Sequence, residues 1–382
     1  MCLYIFSEFL TNNYFLVITN RKVYKCFILL YIIMNKKKIS EQSRLKEELH
    51  QWKLNSPETL LKKLNQLSYN QEEAKKIAIM ALQNSKERFE YPNYEFSRSH
   101  ILMTGPSGTG KSKIIHDLSK IVDVPLVKIN YIDYSPTDFS YFINSCFGEQ
   151  LAEKVVNGEI KKYKKNASSA IIHFDGIDKL ASRNFDEIKD KQSLQDVLVD
   201  FLGNDIEFVK GLTTKYMTFF ATGVLDIEKI IEQRISNEIK SGFRNNSNYP
   251  EKELQLYTSP EDLVKYGFTP KLIGTFTNHA RLRGFDENDL YNIINMPNSY
   301  LNKKINFLKE KYDVDVKLTK GAKNVLAEYL VENKTNVKGL STAVDSILIP
   351  IYFSVKEYKG KIFKYDKFSI QDFLPKREFK VK

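Results

Sequence analysis

"SHILMTGPSGTGKSKIIHDLSKIV", Ser99 to Val122, decides how the rest of the chain is read. It opens with an apolar run, passes through a glycine-rich turn and continues with apolar residues at helical spacing. The turn, Gly105 to Ser112, completes the pattern G-x-x-x-x-G-K-[ST] in a strand-to-helix setting, the context in which a backbone cradles phosphates. Glycines let successive N–H groups line a concave nest, and the following helix points its positive end at the same place. Gly105, Pro106, Ser107, Gly108, Thr109, Gly110, Lys111 and Ser112 are therefore candidate nucleotide contacts. Lys111 is placed to reach the β- and γ-phosphates of ATP or ADP, and the Ser112 hydroxyl to meet Mg²⁺.

Working outward, "PLVKIN", "SAIIHF" and "YMTFFATG" are short, nearly continuous apolar runs separated by helical stretches. Such runs suit parallel strands covered on both faces, so the spacing predicts an α/β domain with a largely parallel sheet. Asp175 ends the second of these runs and is the natural partner for Mg²⁺. Ahead of the loop, "SPETLLKKLNQL" carries helix-start signals: Ser56 as cap, Pro57 in the first turn and Glu58 beside it. "NQEEAKKIAIMALQNSKERF" reads as a second amphipathic helix. After Gly284 the pattern turns helical, closing on a β-like stretch, "GKIFKYDKFSI".

The chain has 382 residues, 42% of them apolar and 27% charged, within the range of a globular protein. The net charge of +11 is spread along the whole length without a basic, aromatic-studded stripe, so no nucleic-acid partner is expected. Cys2, Cys26 and Cys146 form no CxxC pair, which supports neither a zinc site nor a disulfide framework. Residues 1–34 form an apolar N-terminal segment whose uninterrupted run, Cys26 to Met34, is short beside the ~20 residues a membrane span needs. It is read as a misread start with initiation at Met34, then as a targeting segment, and last as a membrane anchor; no membrane partner is expected. The compartment expected is soluble: cytoplasm, or an organellar matrix or plastid.

The residues then carry a resemblance. "NQEEAKKIAIMALQN" is similar to the IGQEQAKK box of the ClpX family of AAA+ unfoldases, and the phosphate loop with "VDVPLVKI" resembles that family's GPTGSGKT…LDVPF segment. "FDGIDKL" resembles YIDEIDKI, "SPEDLVKYGFTPKLIG" resembles PEDL-K-GL-PEFIG, and "KTNVKGLSTAVDSIL" resembles KTGARGLRS. The match to HslU is weaker. The resemblance covers residues 56–370. It implies a P-loop AAA+ αβα sandwich with a parallel sheet, residues 35–284, followed by a small, mainly helical lid domain, residues 285–382. It also implies a homo- or hetero-hexameric ring of ClpX-like subunits, protein substrates and a ClpP-type peptidase.

The departures concern the acting residues. Where the family has its hydrolytic glutamate this chain has Gly176, and where it has its arginine finger this chain has Thr275. Arg281 and Arg283 replace the finger only if the backbone differs locally. The sensor arginine falls on Lys338, which keeps charge but loses the two-pronged guanidinium, while Thr222 is a polar sensor for the nucleotide. The pore-loop aromatic maps to Phe139. Ser241, Gly242 and Phe243 stand where the family docks its peptidase, with the first apolar residue replaced, so that contact is expected to be weak. The family's N-terminal zinc-binding domain has no counterpart. Two functions follow: an ATP-binding protein of the Clp unfolding machinery with weak or no hydrolysis of its own, or a fully active unfoldase subunit feeding a peptidase. Nucleic-acid binding driven by charge is the third.

Overall fold

The computed structural model describes residues 56–94, 96–130, 170–181, 188–209, 212–240 and 251–375. All lie within one compact unit, Trp52–Lys382. The first helix, α1 (Pro57–Leu67), starts as its sequence predicts: the Ser56 hydroxyl accepts from the Thr59 N–H, and Pro57 occupies the first turn. Helix α2 (Glu72–Glu90) follows after a turn in which Asn70 and Gln71 take left-handed backbone angles.

Five parallel strands make the main sheet: β1 (His100–Thr104), β2 (Leu126–Asn130), β3 (Ile171–Asp175), β6 (Thr218–Gly223) and β7 (Asn278–Arg281). Their order is β2-β3-β6-β1-β7. Strand β7, "NHAR", has no apolar run to announce it. It lies at an edge and is set by its register against β1, with Ile101 opposite Asn278. A short antiparallel ribbon, β4 (Glu207–Val209) with β5 (Leu212–Thr213), precedes β6.

Alternation along the strands sends residues to two layers. On one face Leu102, Val127, Ile172, Phe174 and Phe219 join Leu194, Leu198 and Phe201 of α4 (Ile188–Gly203) and Ile231 of α5 (Glu228–Lys240) in one buried cluster. On the other, α3 (Lys111–Val122) packs on β3 and β6, α2 on β1 and β7, and α1 on α2 and α3. Helices α6 (Pro260–Tyr266) and α7 (Pro270–Thr275) bring Leu263 and Leu272 to the first cluster.

A second apolar cluster begins at Phe285. It gathers α8 (Glu287–Asn295), α9 (Tyr300–Tyr312), α10 (Lys320–Glu332) and α11 (Asn336–Phe353). A two-stranded parallel sheet, β8 (Asp315–Leu318) with β9 (Ile362–Tyr365), and a short helix, α12 (Lys367–Gln371), complete it. The β-like end of the chain is thus half strand and half helix, and its strand partner is a four-residue segment the helical reading passed over. Buried Gln71 links the segments: its amide donates to the Arg283 carbonyl at 2.8 Å and accepts from the Arg283 N–H at 3.2 Å. Among the described residues no helix is long and apolar enough to cross a membrane.

Candidate nucleotide site

The carboxyl ends of β1, β3 and β6 rise to one side of the sheet, the usual position for a ligand in parallel α/β folds. A cavity of about 640 Å³ opens there, within the range of small-molecule sites. One end is built by the turn between β1 and α3. Gly108 has φ +77°, and a Cβ on it would stand 2.8 Å from the Asn336 Cβ, so only glycine lets α11 come this close. Asn336 uses the approach to donate its amide to the Ser107 carbonyl at 2.9 Å. The first-turn N–H groups of α3 have no partner within the helix and offer an anion site.

Lys111 is nearly covered and folds back on its own loop, donating to the carbonyls of Gly105 at 2.6 Å and Pro106 at 2.8 Å. Burial pushes its amine down to about 8; Lys338 adds to that, while Asp175 and Asp178 oppose it. A phosphate arriving at this point would offset that penalty through its opposite charge and favour the ammonium. Ser107, Gly108, Thr109, Gly110, Lys111, Ser112 and Lys338 all line the cavity.

Strand β3 delivers Asp175 to the same wall, inside a chain of contacts. The neutral His173 imidazole lies 2.9 Å from the Thr222 hydroxyl, which donates to Asp175 Oδ1 at 2.9 Å. Lys128, from β2, holds Asp175 Oδ2 at 2.8 Å. Burial works to raise the Asp175 carboxyl, but Lys128 and Thr222 outweigh it and hold it below the usual range. Thr222 is fully buried, so it meets the cavity through Asp175. The hydroxyl and carboxylate that Mg²⁺ would use, on Ser112 and Asp175, both face the cavity, yet both oxygens of the carboxylate are already engaged. In this arrangement an ion at Asp175 would have to compete with Lys128 for the carboxylate.

The neighbouring positions are plain. Gly176 has φ +96° and caps a short 3₁₀ turn, its N–H donating to the Thr222 carbonyl at 2.9 Å. Asp178 accepts the Val224 N–H at 3.3 Å. Thr275 ends α7, its hydroxyl donating to the Lys271 carbonyl at 2.9 Å. Arg281 Nε donates to the Thr258 carbonyl at 2.9 Å, and Arg283 forms a two-pronged pair with Asp289 at 2.6 and 2.9 Å. The Arg283 guanidinium is thus paired within the chain, and that of Arg281 is held there through Nε. Phe139, Ser241, Gly242 and Phe243, with residues 1–34, lie outside the described residues.

The far end of the cavity is apolar, with Tyr69, Phe285, Ile293, Met296 and Leu340 on its walls, and the Tyr69 and Phe285 rings meet edge to face at 6.5 Å. A phosphate cradle at one end and a hydrophobic slot at the other match the two ends of a nucleotide. Motif reading missed this slot, because its walls come from three distant segments. It also missed Lys128, whose only signal is a charge in the middle of "LVKIN".

Comparison with known proteins gives the same class. The family described as "ATPase family associated with various cellular activities (AAA)" matches residues 101–241. The chain is ClpX-like and of the AAA+ type. It is 25% identical over 334 residues to the "ATP-dependent Clp protease ATP-binding subunit ClpX" of Treponema denticola, covering 80% of this chain and 79% of that one. The protein of the same name from Porphyromonas gingivalis is 25% identical over 362 residues, 87% of this chain and 85% of that one. The Borrelia duttonii protein, again so named, is 24% identical over 335 residues, 80% and 76% of the two chains. The ClpX-like AAA+ fold accounts for the five-stranded parallel sheet, the helices on its faces and the helical C-terminal region.

Proposed function

We propose that this ClpX-like chain holds ATP or ADP in the cavity and serves the protein-unfolding machinery of the Clp type, with weak or no hydrolysis of its own. The observation that carries the reading is the contrast between the phosphate loop and the end of β3. Lys111 sits in an intact phosphate loop, and the residue that follows the cavity-lining Asp175 is Gly176, which has no side chain to orient a water. The base would lie in the slot of Tyr69 and Phe285, and the phosphates against the α3 N-terminus, Lys111 and Lys338. Thr222 and His173 hold Asp175 in place. Thr275 cannot supply the charge that an arginine from a neighbouring subunit contributes, worth about 10³–10⁵ in rate in phosphoryl transfer.

Residues 35–284 form the large domain and residues 285–382 the lid in this reading, in a homo- or hetero-hexameric ring that acts on protein substrates. Phe139 is its pore aromatic, and Ser241 to Phe243 a weakened peptidase loop. The compartment is cytoplasmic or organellar. The second reading, a fully active unfoldase feeding a ClpP-type peptidase, is favoured by the length of the similarity to ClpX proteins. Steady-state phosphate release from ATP separates them. Turnover by the wild type no higher than by Lys111→Ala supports a nucleotide-holding subunit; turnover that Lys111→Ala abolishes overturns it.

A further inference from the structure

The cavity's charge is arranged for a free nucleotide anion. Four lysines line it, Lys111, Lys113, Lys128 and Lys338, against two carboxylates, Asp175 and Asp178. Lys113 is tied to Asp117 at 2.6 Å, and Asp178 to a backbone N–H. Lys128 is the member that motif reading does not account for. It sits in the middle of β2, opposite His173 in the register, and its neighbours Val127 and Ile129 are buried in the apolar cluster on the other face. From there its chain runs along the sheet toward Asp175, which lies opposite Asn130. The ammonium ends 2.8 Å from Asp175 Oδ2, with 46% of the side chain still exposed to solvent, and Lys128 lines the cavity.

A bare carboxylate beside a triphosphate repels it, and a divalent ion is the usual remedy. Lys128 supplies a fixed cation at that carboxylate, and enough of it is exposed to face a phosphate as well. We infer that Lys128 takes the place of the divalent ion, so that this chain binds nucleoside triphosphate as the metal-free anion. The inference rests on the nucleotide reading above. It makes Lys128 a binding residue and Asp175 its anchor.

The test is binding of fluorescently labelled ATP to the full chain, in EDTA and in excess Mg²⁺, for wild type, Lys128→Met and Lys128→Arg. Wild-type affinity should change by less than about threefold between the buffers. Lys128→Met should weaken by about tenfold or more in EDTA and recover with Mg²⁺, whereas Lys128→Arg should keep its binding in EDTA. Wild-type binding that depends on Mg²⁺ overturns the inference, as does a Lys128→Met protein that binds in EDTA as the wild type does. The wild-type pair of titrations decides even if a variant fails to fold. No binding by wild type in either buffer overturns the nucleotide reading itself, which is a distinguishable failure.

Discussion

The phosphate loop and the positions that the ClpX resemblance assigns to hydrolysis differ in what they keep. On the phosphate wall the groups work together. The loop holds its left-handed glycines, Asn336 braces Ser107, and Lys111 lies over its own carbonyls. At the other positions, none of which lines the cavity, Gly176 presents backbone alone, Thr275 bonds back to its own helix, and Arg281 and Arg283 bond to local partners. In the proposed reading, holding a nucleotide and breaking it fall to separate elements, α3 with α11 for the first and the β3 and α7 ends for the second. Loss on one side leaves the other geometrically whole.

The sharpest way to break this contrast is at Lys111. Lys111→Ala should weaken labelled-ATP binding about a hundredfold or more, since it removes a charge-assisted contact from a desolvated site; retained affinity would mean the loop is not the binding wall. Next comes the sheet itself. Burial lowers His100 and His173 to about 4 from the ordinary 6.5, so both are held neutral in the fold. The unfolded chain then binds more protons as pH falls. Their stabilisation is complete above 6.5 and is lost as pH drops toward about 4. At pH 5 the loss is about 2 kcal/mol per imidazole, read as a lower Tm; a Tm unchanged from pH 7 to 5 would show the two sites already open to water.

A smaller effect tests the turn after β3. Gly176→Glu should leave turnover low and reduce stability by about 1–2 kcal/mol, because its backbone is left-handed. Turnover restored by that change alone would show that the missing side chain, rather than the turn, disabled the site. The smallest expectation is at Thr275, where Thr275→Val should alter stability by less than about 0.5 kcal/mol and leave nucleotide affinity unchanged. A clear loss of affinity would return Thr275 to the nucleotide.

Legibility followed locality. The phosphate loop, α1 with its Ser56 cap and the three apolar strands could be read because each signal lies within a few consecutive residues. Strand β7 could not, since "NHAR" has neither alternation nor an apolar run and is made a strand by pairing with β1. Strand β8 was hidden the same way, its four residues paired with a partner far along the chain. Thr222 was legible as a polar residue near the nucleotide, but not as one that meets the cavity only through Asp175.

The sequence by itself pointed to the class of ligand and to the residues proposed to meet its phosphates, because a glycine-rich turn between strand and helix has one main physical use. It also placed Gly176 and Thr275 where the ClpX resemblance leads one to expect a glutamate and an arginine. Tertiary structure alone decided the slot of Tyr69, Phe285 and Leu340, the local bonds of Arg281 and Arg283, and the pairing of Lys128 with Asp175. Those depend on sheet register and on the packing of α11 against the loop, which place residues far apart in the chain within a hydrogen bond of each other.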